Sequence, residues 1–273
     1  ITKSKARPDN LNLMKNKVQL LLNHKDYNFS SGFNIYENLR TSKSSDRYQY
    51  IFPYYNFDTV FGEKFLNGSV SFDSSGSNNL KNTNQLTSSI TNNFKYSSPN
   101  NVNKFGLRNE YNFQFKNTNK IGRKSDYRSS PQIELEGLFE YNSILPLINK
   151  QVSQNHYLTP KFSFKFNPIG MKNNSSETRT INAVNVFTSN RLGLGDTFEE
   201  GRSLTLGLDY KLEKTNDKEN DEDNEKEEID EINNYFAMKI ATVFRDKEER
   251  FIPNKSTLNR KTSNIFGSIT NNL

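Results

Sequence analysis

Apolar and polar residues alternate along long stretches of this chain. Between residues 105 and 116, Phe, Leu and Tyr fill most alternate positions, and Arg, Glu, Asn, Gln and Lys fill the positions between them. Residues 203–212 repeat the pattern, with Leu and Tyr alternating with Ser, Thr, Asp and Lys. A period of two places successive side chains on opposite faces of a β-strand. The pattern therefore predicts strands that have one apolar face and one polar face.

The same alternation predicts about eleven strands, and no segment shows the period of a helix. The clearest strands lie at residues 86–96, 105–116, 132–141, 158–166, 203–212 and 236–245, and weaker ones at 18–24, 29–39, 48–57, 66–73 and 264–273. Several keep their phase beyond the ~5–6 residues of an ordinary strand. They reach the ~9–11 residues that a tilted strand needs to cross a bilayer.

The predicted connections between strands are of two kinds. Residues 23–28 and 97–104 form short turns, whereas long polar connections occupy 73–85, 117–131, 167–202 and 246–263. Outer-membrane barrels have short turns on one rim and long loops on the other. The acidic stretch 214–233 and the stretch 141–157 do not fit that rhythm. We interpret the acidic stretch as a disordered insertion.

We predict an all-β fold, an antiparallel transmembrane β-barrel in which residues 1–273 form part of one barrel domain. A barrel with an aqueous interior needs about 16 strands, so about eleven strands make it partial. A soluble sandwich with its apolar face inward remains an alternative. Such sheets usually turn every ~8–12 residues, and the strands here begin at wider intervals.

Composition changes this picture in one respect. Hydrophobic residues make up only 32% of the chain, which is typical of soluble proteins, but aromatic residues make up 12% and are regularly spaced. The chain has no apolar run long enough for a membrane-spanning helix and no signal peptide at its start. We expect the sequence to be an internal piece of a longer protein.

Candidate catalytic chemistry is sparse. The chain has two histidines, His24 and His156, and no cysteine, and their spacing indicates no nucleophile, metal site or cofactor site. We interpret the carboxylates Glu110, Glu134, Glu136 and Glu140 as solvated charges on the polar face. The net charge of +6 has two interpretations, a Lys- and Asn-rich composition without a binding role, or attraction to an anionic partner such as nucleic acid or the phosphates of a glycolipid. Because basic residues alternate within strands rather than cluster, we expect no nucleic-acid partner. Because the sequence shows no catalytic constellation, we expect no enzymatic activity.

Three blocks of the sequence resemble one family. They are "HYLTPKFSFKFNPIG" at 156–170, "VFTSNRLGLGDTFEEGRSLTLGLDYKL" at 186–212 and "FAMKIATVFRDKEERFIPNKSTLNRKTSNIFGSI" at 236–269. In this order and spacing they are similar to the LptD (OstA/Imp) family of lipopolysaccharide-assembly proteins. The arginine that usually follows the loop aspartate in that family is Thr197 here.

The resemblance implies a function in the outer membrane of a Gram-negative bacterium. Proteins of this family transport lipopolysaccharide into the outer leaflet. Their partners are a plug lipoprotein of the LptE type and a periplasmic bridge of the LptA type, which binds a domain outside this sequence. By family topology, loops 41–46, 74–85, 117–130, 167–201 and 246–263 face outside. A general porin or channel shares the pattern and remains an alternative, as does a soluble all-β binding module.

Two groups of candidate site residues follow from the resemblance. The charges of the long loop are expected to hold it over or in the lumen, and replacing Arg191 and Asp196 is expected to raise permeability to large antibiotics. Those loop residues are Asn190, Arg191, Asp196, Glu200 and Arg202. Basic residues of the polar face are expected to contact head-group phosphates or the plug. They are Lys161, Lys165, Lys239 and Arg245.

Overall fold

A computed structural model describes residues 13–39, 48–61, 67–81, 85–123, 129–151, 154–195, 197–215 and 232–272. Thirteen strands account for most of these residues. They are β1 (Leu13–Asn23), β2 (Tyr27–Asn38), β3 (Tyr48–Phe61), β4 (Ser69–Lys81), β5 (Gln85–Ser97), β6 (Asn101–Val102), β7 (Arg108–Arg123), β8 (Ser129–Ile144), β9 (Leu147–Lys150), β10 (Gln154–Asn167), β11 (Gly201–Thr215), β12 (Ile232–Arg245) and β13 (Phe266–Asn272). The all-β prediction is confirmed. Each of the eleven predicted strands overlaps one long strand, and β6 and β9 are additional short strands.

The strands form one antiparallel sheet. Each long strand pairs with the next long strand along the chain, in the order β1-β2-β3-β4-β5-β7-β8-β10-β11-β12-β13, with β6 beside β7 and β9 beside β10. This order is the one that alternating strands joined by hairpins produce. The chain groups into two compact units. The first lies within Ile1–Tyr96 and Gln114–Leu135, and the second within Ser97–Phe113 and Glu136–Leu273.

Two predicted loops are wrong in extent. Residues 74–81 and 117–123, assigned to loops, continue β4 and β7, and β8 already begins at Ser129. Apart from Leu80 and Ile121, they contain no large apolar side chain, so the alternation that marks a strand is missing. Backbone pairing does not need it: Gln49 is still in register with Lys81. The predicted acidic insertion is also too wide, since β11 reaches Thr215 and β12 starts at Ile232. Loop 41–46 lies outside the described residues.

Burial in the second unit is opposite to that of a soluble sheet. The apolar face is open: Phe113, Leu206 and Ile240 are 41%, 42% and 40% exposed. The polar face is covered, with Ser163 and Thr205 fully buried. Soluble sheets bury their apolar face against a partner layer and leave polar side chains in water. We call the surface with Phe113, Leu206 and Ile240 the apolar face of this unit, and the surface with Ser163 and Thr205 its polar face.

The cover of the polar face consists of two long connections, residues 168–200 between β10 and β11, and residues 246–265 between β12 and β13. Their apolar side chains form the core of the unit together with small residues of β12. This core contains Met171, Ile181, Ala183, Val186, Leu192, Ala241, Val243, Ile252, Leu258 and Phe266. Each connection contains one short 3-10 turn, Asn185–Phe187 and Asn254–Ser256. Nowhere in the described ranges is a helix long and apolar enough to span a membrane.

Candidate functional site

The most distinctive feature of the second unit is a row of polar residues across four strands. Lys165 of β10 is in register with Glu140 of β8 on one side and with Ser203 of β11 on the other. Ser203 is in register with Arg245 of β12. Directly paired residues of neighbouring strands point to the same face of a sheet. The register thus brings two basic side chains and one carboxylate together on the polar face.

The 168–200 connection adds Arg191, which is completely buried. Its guanidinium makes a two-point contact with Glu199, from Nε to Oε2 at 2.7 Å and from Nη2 to Oε1 at 2.5 Å. It also donates to the hydroxyls of Thr205 at 2.8 Å and Ser203 at 2.7 Å. Planar two-point contacts are the strongest geometry for an arginine and a carboxylate. Arg191 therefore binds the connection to β11 through both its ion pair and its hydrogen bonds.

Glu199 lies between two arginines. Besides Arg191, its Oε1 accepts a very short hydrogen bond from Arg245 Nη2. Arg245 Nη1 also donates to the Glu200 carbonyl oxygen at 2.8 Å. Burial opposes ionisation of the Glu199 carboxyl, but the charges of Arg191 and Arg245 outweigh it and hold the pKa of Glu199 below its usual value. The carboxylate is therefore charged and links the connection to β12.

Lys165 fixes the other side of the connection. Its ammonium lies 3.1 Å from a Glu140 carboxylate oxygen. It also donates to the carbonyl oxygens of Thr188 at 2.5 Å and Ser189 at 2.9 Å. The Ser189 hydroxyl in turn donates to Glu140 at 2.6 Å. We call Glu140, Lys165, Arg191, Glu199 and Arg245 the charge cluster. Its bonds anchor the 168–200 connection on the polar face.

Among the other loop residues singled out from sequence, the side chains of Asn190, Glu200 and Arg202 do not belong to the charge cluster. Asn190 closes a local turn, because its amide donates to the Leu194 carbonyl at 2.8 Å and accepts from the Leu194 amide at 2.9 Å. The Glu200 carboxylate accepts from the Met171 amide at 3.2 Å. Arg202 lies 5.3 Å from the Phe166 ring centre. Asp196 lies outside the described residues.

The four basic candidates of the polar face separate into two places. Lys165 and Arg245 belong to the charge cluster, whereas Lys161 pairs with Asp209 of β11 at 2.5 Å. Lys239 of β12 is in register with Asp209 and lines an open cleft. Within the described part of the chain, no ion pair or hydrogen bond involves the Lys239 ammonium.

Sequence reasoning missed Glu199 and misjudged Glu136 and Glu140, which are both buried. Glu140 was expected to be a solvated charge, but it is buried and paired with Lys165. The correction has a physical reason, because the connection covers this part of the polar face and excludes water from it. A signal for Glu199 was present in the sequence. It is separated by an even number of residues from Ser203 and Thr205, which are buried on the polar face of β11. Thr197, the residue that departs from the family pattern, accepts a hydrogen bond through its hydroxyl from the Lys172 backbone amide at 3.3 Å.

Gly207 provides space for the connection. A Cβ atom added there would lie 2.6 Å from the Phe187 ring, which rests on β11 at this point. We expect Gly207→Ala to displace Phe187 and to lower the free energy of unfolding by about 1–3 kcal/mol. Thermal or chemical unfolding measures this change. Gly122→Ala is the matched control, since no atom lies within 4 Å of its added Cβ. Equal stability of the two variants would contradict the tight packing of Phe187.

The arrangement is suited to holding a segment in place. The donors and acceptors of the charge cluster are directed at one another and at the backbone of the connection. Over the described ranges, no three His, Asp or Glu residues form a group that could hold a metal ion. Comparison with known proteins gives no further guide to the site: no family model matches the chain, and no curated protein is significantly similar to it.

Proposed function

We propose that this chain is part of an outer-membrane β-barrel that transports lipopolysaccharide to the outer leaflet of a Gram-negative bacterium. One observation carries the membrane part of this proposal, the reversed burial of the second unit. Phe113, Leu206 and Ile240 are exposed on one face while Lys165 and Arg191 are buried on the other. Exposing a regular apolar face to water is costly at about 25 cal/mol per Å², but in hydrocarbon the same face is favourable.

The antiparallel meander supports the same proposal. Lipid offers no hydrogen-bond partners, so a spanning sheet must pair its strands, and a meander of long strands does this with hairpins alone. The eleven long strands continue from one hairpin to the next in chain order. Strands such as β7 (Arg108–Arg123) and β10 (Gln154–Asn167) exceed the ~9–11 residues needed for a tilted crossing.

The transport part of the proposal depends on the resemblance of the three sequence blocks to lipopolysaccharide-assembly proteins. Two of those blocks contain the residues that bind the connection to the sheet, Arg191, Glu199 and Arg245. A charged sugar and phosphate head group needs a polar, hydrated route, and the part of the polar face around Lys239, which the connections leave open, is suited to one. In this proposal the partners are lipopolysaccharide, a plug lipoprotein and a periplasmic bridge.

A depletion experiment tests the transport function. In the bacterium that encodes this chain, we expect depletion of the protein to stop newly made lipopolysaccharide from reaching the cell surface. Surface labelling of pulse-labelled lipopolysaccharide measures arrival, and restoring the wild-type gene should recover it. Depletion of an unrelated outer-membrane barrel is the control. Normal arrival in the depleted cells would contradict the transport function.

A general porin is the second candidate, because the reversed burial supports any outer-membrane barrel equally. Reconstitution in a planar bilayer separates the two functions. A porin conducts small solutes steadily by itself, whereas a transporter whose polar face is covered by the anchored 168–200 connection conducts little. The porin function would be established if the protein conducts steadily in the bilayer and lipopolysaccharide still reaches the surface of depleted cells.

A further inference from the structure

A second polar site lies on the second unit, apart from the charge cluster. It is an open cleft of about 600 Å³ across β10, β11, β12 and β13. The register explains its position: Ala237 of β12 is in register with Lys211 on one side and with Thr270 on the other. Alanine leaves space in the middle of this row. The larger side chains of Tyr157, Tyr235 and Lys239 stand around that space.

Two cations, Lys211 and Lys239, and two carboxylates, Asp209 and Glu213, line the cleft, and Lys161 beside it adds a third cation. Asp209 is neutralised by Lys161, whose ammonium lies 2.5 Å from its carboxylate. Glu213 is neutralised by Lys211, which forms a very short ion pair with it. Lys239 also faces these two carboxylates, and no ion pair or hydrogen bond in the described part of the chain involves its ammonium. The cleft therefore presents one positive charge that is available to an anion.

The rest of the lining is suited to a sugar. Tyr157 and Tyr235 offer aromatic surfaces with hydroxyl groups, and Thr159 and Thr270 add further hydroxyls. Tyrosine combines an apolar ring with a polar end, so it can pack against the C–H surface of a sugar and also form hydrogen bonds. A lysine ammonium forms strong charge-assisted hydrogen bonds with phosphate oxygens. A few placed polar groups around a concave surface are typical of a ligand site.

We propose that this cleft binds a phosphorylated sugar, with the Lys239 ammonium on the phosphate and Tyr157 and Tyr235 against the sugar. The ligand is either the head group of a glycolipid or a free sugar phosphate, which share this chemistry. The glycolipid form of the proposal rests on the proposed transport function and assigns a place on the polar face to the head group. Lys161, Lys165 and Arg245 are excluded as phosphate ligands, because their charges are already used by protein groups.

The test is equilibrium binding to the purified, folded protein in nanodiscs. The probes are lipopolysaccharide, lipopolysaccharide treated with phosphatase, and glucosamine 1-phosphate. We expect Lys239→Gln to weaken binding of both phosphorylated probes by about tenfold or more. Lys239→Arg should restore most of the affinity, and the phosphatase-treated probe should bind wild type and Lys239→Gln equally. Lys95→Gln removes the same charge from β5 and should change nothing, because Lys95 does not line the cleft.

A photocrosslinker at Thr270, which lines the cleft, provides a second measurement, because it reports where on the protein the ligand binds. We expect it to capture lipopolysaccharide in the wild type and to lose the product in Lys239→Gln. Two results together would overturn the proposal. Lys239→Gln and Lys95→Gln would bind the phosphorylated probes with the same affinity, and the Thr270 crosslink would remain in Lys239→Gln. If lipopolysaccharide crosslinks to other parts of the polar face but never at Thr270, the cleft proposal fails and the transport function stands.

The two sources of ligand are also separated by these probes. If wild type binds glucosamine 1-phosphate through Lys239 but binds no lipopolysaccharide, the cleft is a site for a free sugar phosphate, and the proposed transport function loses support. Correct folding of each variant is checked by its electrophoretic mobility before and after heating. Because Lys239 has no protein partner to lose within the described residues, its replacement should leave the fold intact.

Discussion

Arg191→Met is expected to release the 168–200 connection from the polar face and to lower the free energy of unfolding by about 3–5 kcal/mol. The substitution keeps much of the side-chain length but leaves the Glu199 carboxylate buried with Arg245 as its remaining arginine. It also removes the donors to Ser203 and Thr205, which are buried hydroxyls. Breaking a buried pair by removing one partner costs more than the pair contributes, because the remaining charge stays out of water.

Two measurements follow the effect of Arg191→Met. Chemical unfolding gives the change in stability, and limited proteolysis reports whether residues 168–200 become accessible. Arg202→Ala is the matched control. It removes an arginine from the start of β11 that contacts the Phe166 ring outside the charge cluster. We expect its effect to be within about 1 kcal/mol. If both variants unfold alike and the connection stays protected, the charge cluster is not what holds it.

A double substitution isolates the pair itself. Glu199→Gln removes the carboxylate that Arg191 binds, so Arg191→Met combined with Glu199→Gln should cost less than the two single changes added together. Residues that share one network typically show coupling of about 0.5–3 kcal/mol. Additive costs would show that Arg191 and Glu199 act independently. In cells, entry of large antibiotics should rise with Arg191→Met and remain at the wild-type rate with Arg202→Ala.

The strands were predictable because their signal is local. One apolar face and one polar face leave a period of two in the sequence. Of the clearest segments, 203–212 lies within β11, and 105–116 overlaps β7 from Arg108 onward. The signal disappears where large apolar side chains are rare, as in residues 74–81. There the strand continues because β3 supplies backbone partners. That information lies in a neighbouring strand and not in the segment itself.

The charge cluster was predictable only in part, for a related reason. Alternation places Lys165 and Arg245 on the polar face, but the contact of Lys165 with Glu140 depends on register, which turn geometry determines. The partner of Arg191 depends on how the whole 168–200 connection packs against Ala241 and Val243. Neighbouring carboxylates such as Glu199 and Glu200 are equivalent by type. Packing buries the carboxylate of Glu199 between the two arginines and leaves Glu200 to bind the Met171 amide.

The reversed burial leads to the sharpest test of the membrane proposal, a comparison of two neighbouring residues of β7. Phe113 belongs to the apolar face and is 41% exposed, whereas Gln114 points to the opposite face and donates to Asn93 at 3.0 Å. In a bilayer, an arginine on the lipid face near the midplane costs about 2–4 kcal/mol. We therefore expect Phe113→Arg to lower the unfolding free energy in phospholipid vesicles by that amount, and Gln114→Arg to lower it by less than about 1 kcal/mol.

The two environments give opposite results for the same pair of variants. In water, a phenylalanine that is already exposed can be replaced by arginine at little cost, because surface changes away from special features usually stay within about 0.5 kcal/mol. Its removal should then even improve solubility, since one apolar ring fewer faces the solvent. Urea titration of wild type and both variants in vesicles shows whether Phe113 faces lipid or water. If Phe113→Arg is as stable as Gln114→Arg, the apolar face does not meet lipid, because only hydrocarbon makes a charge at Phe113 costly.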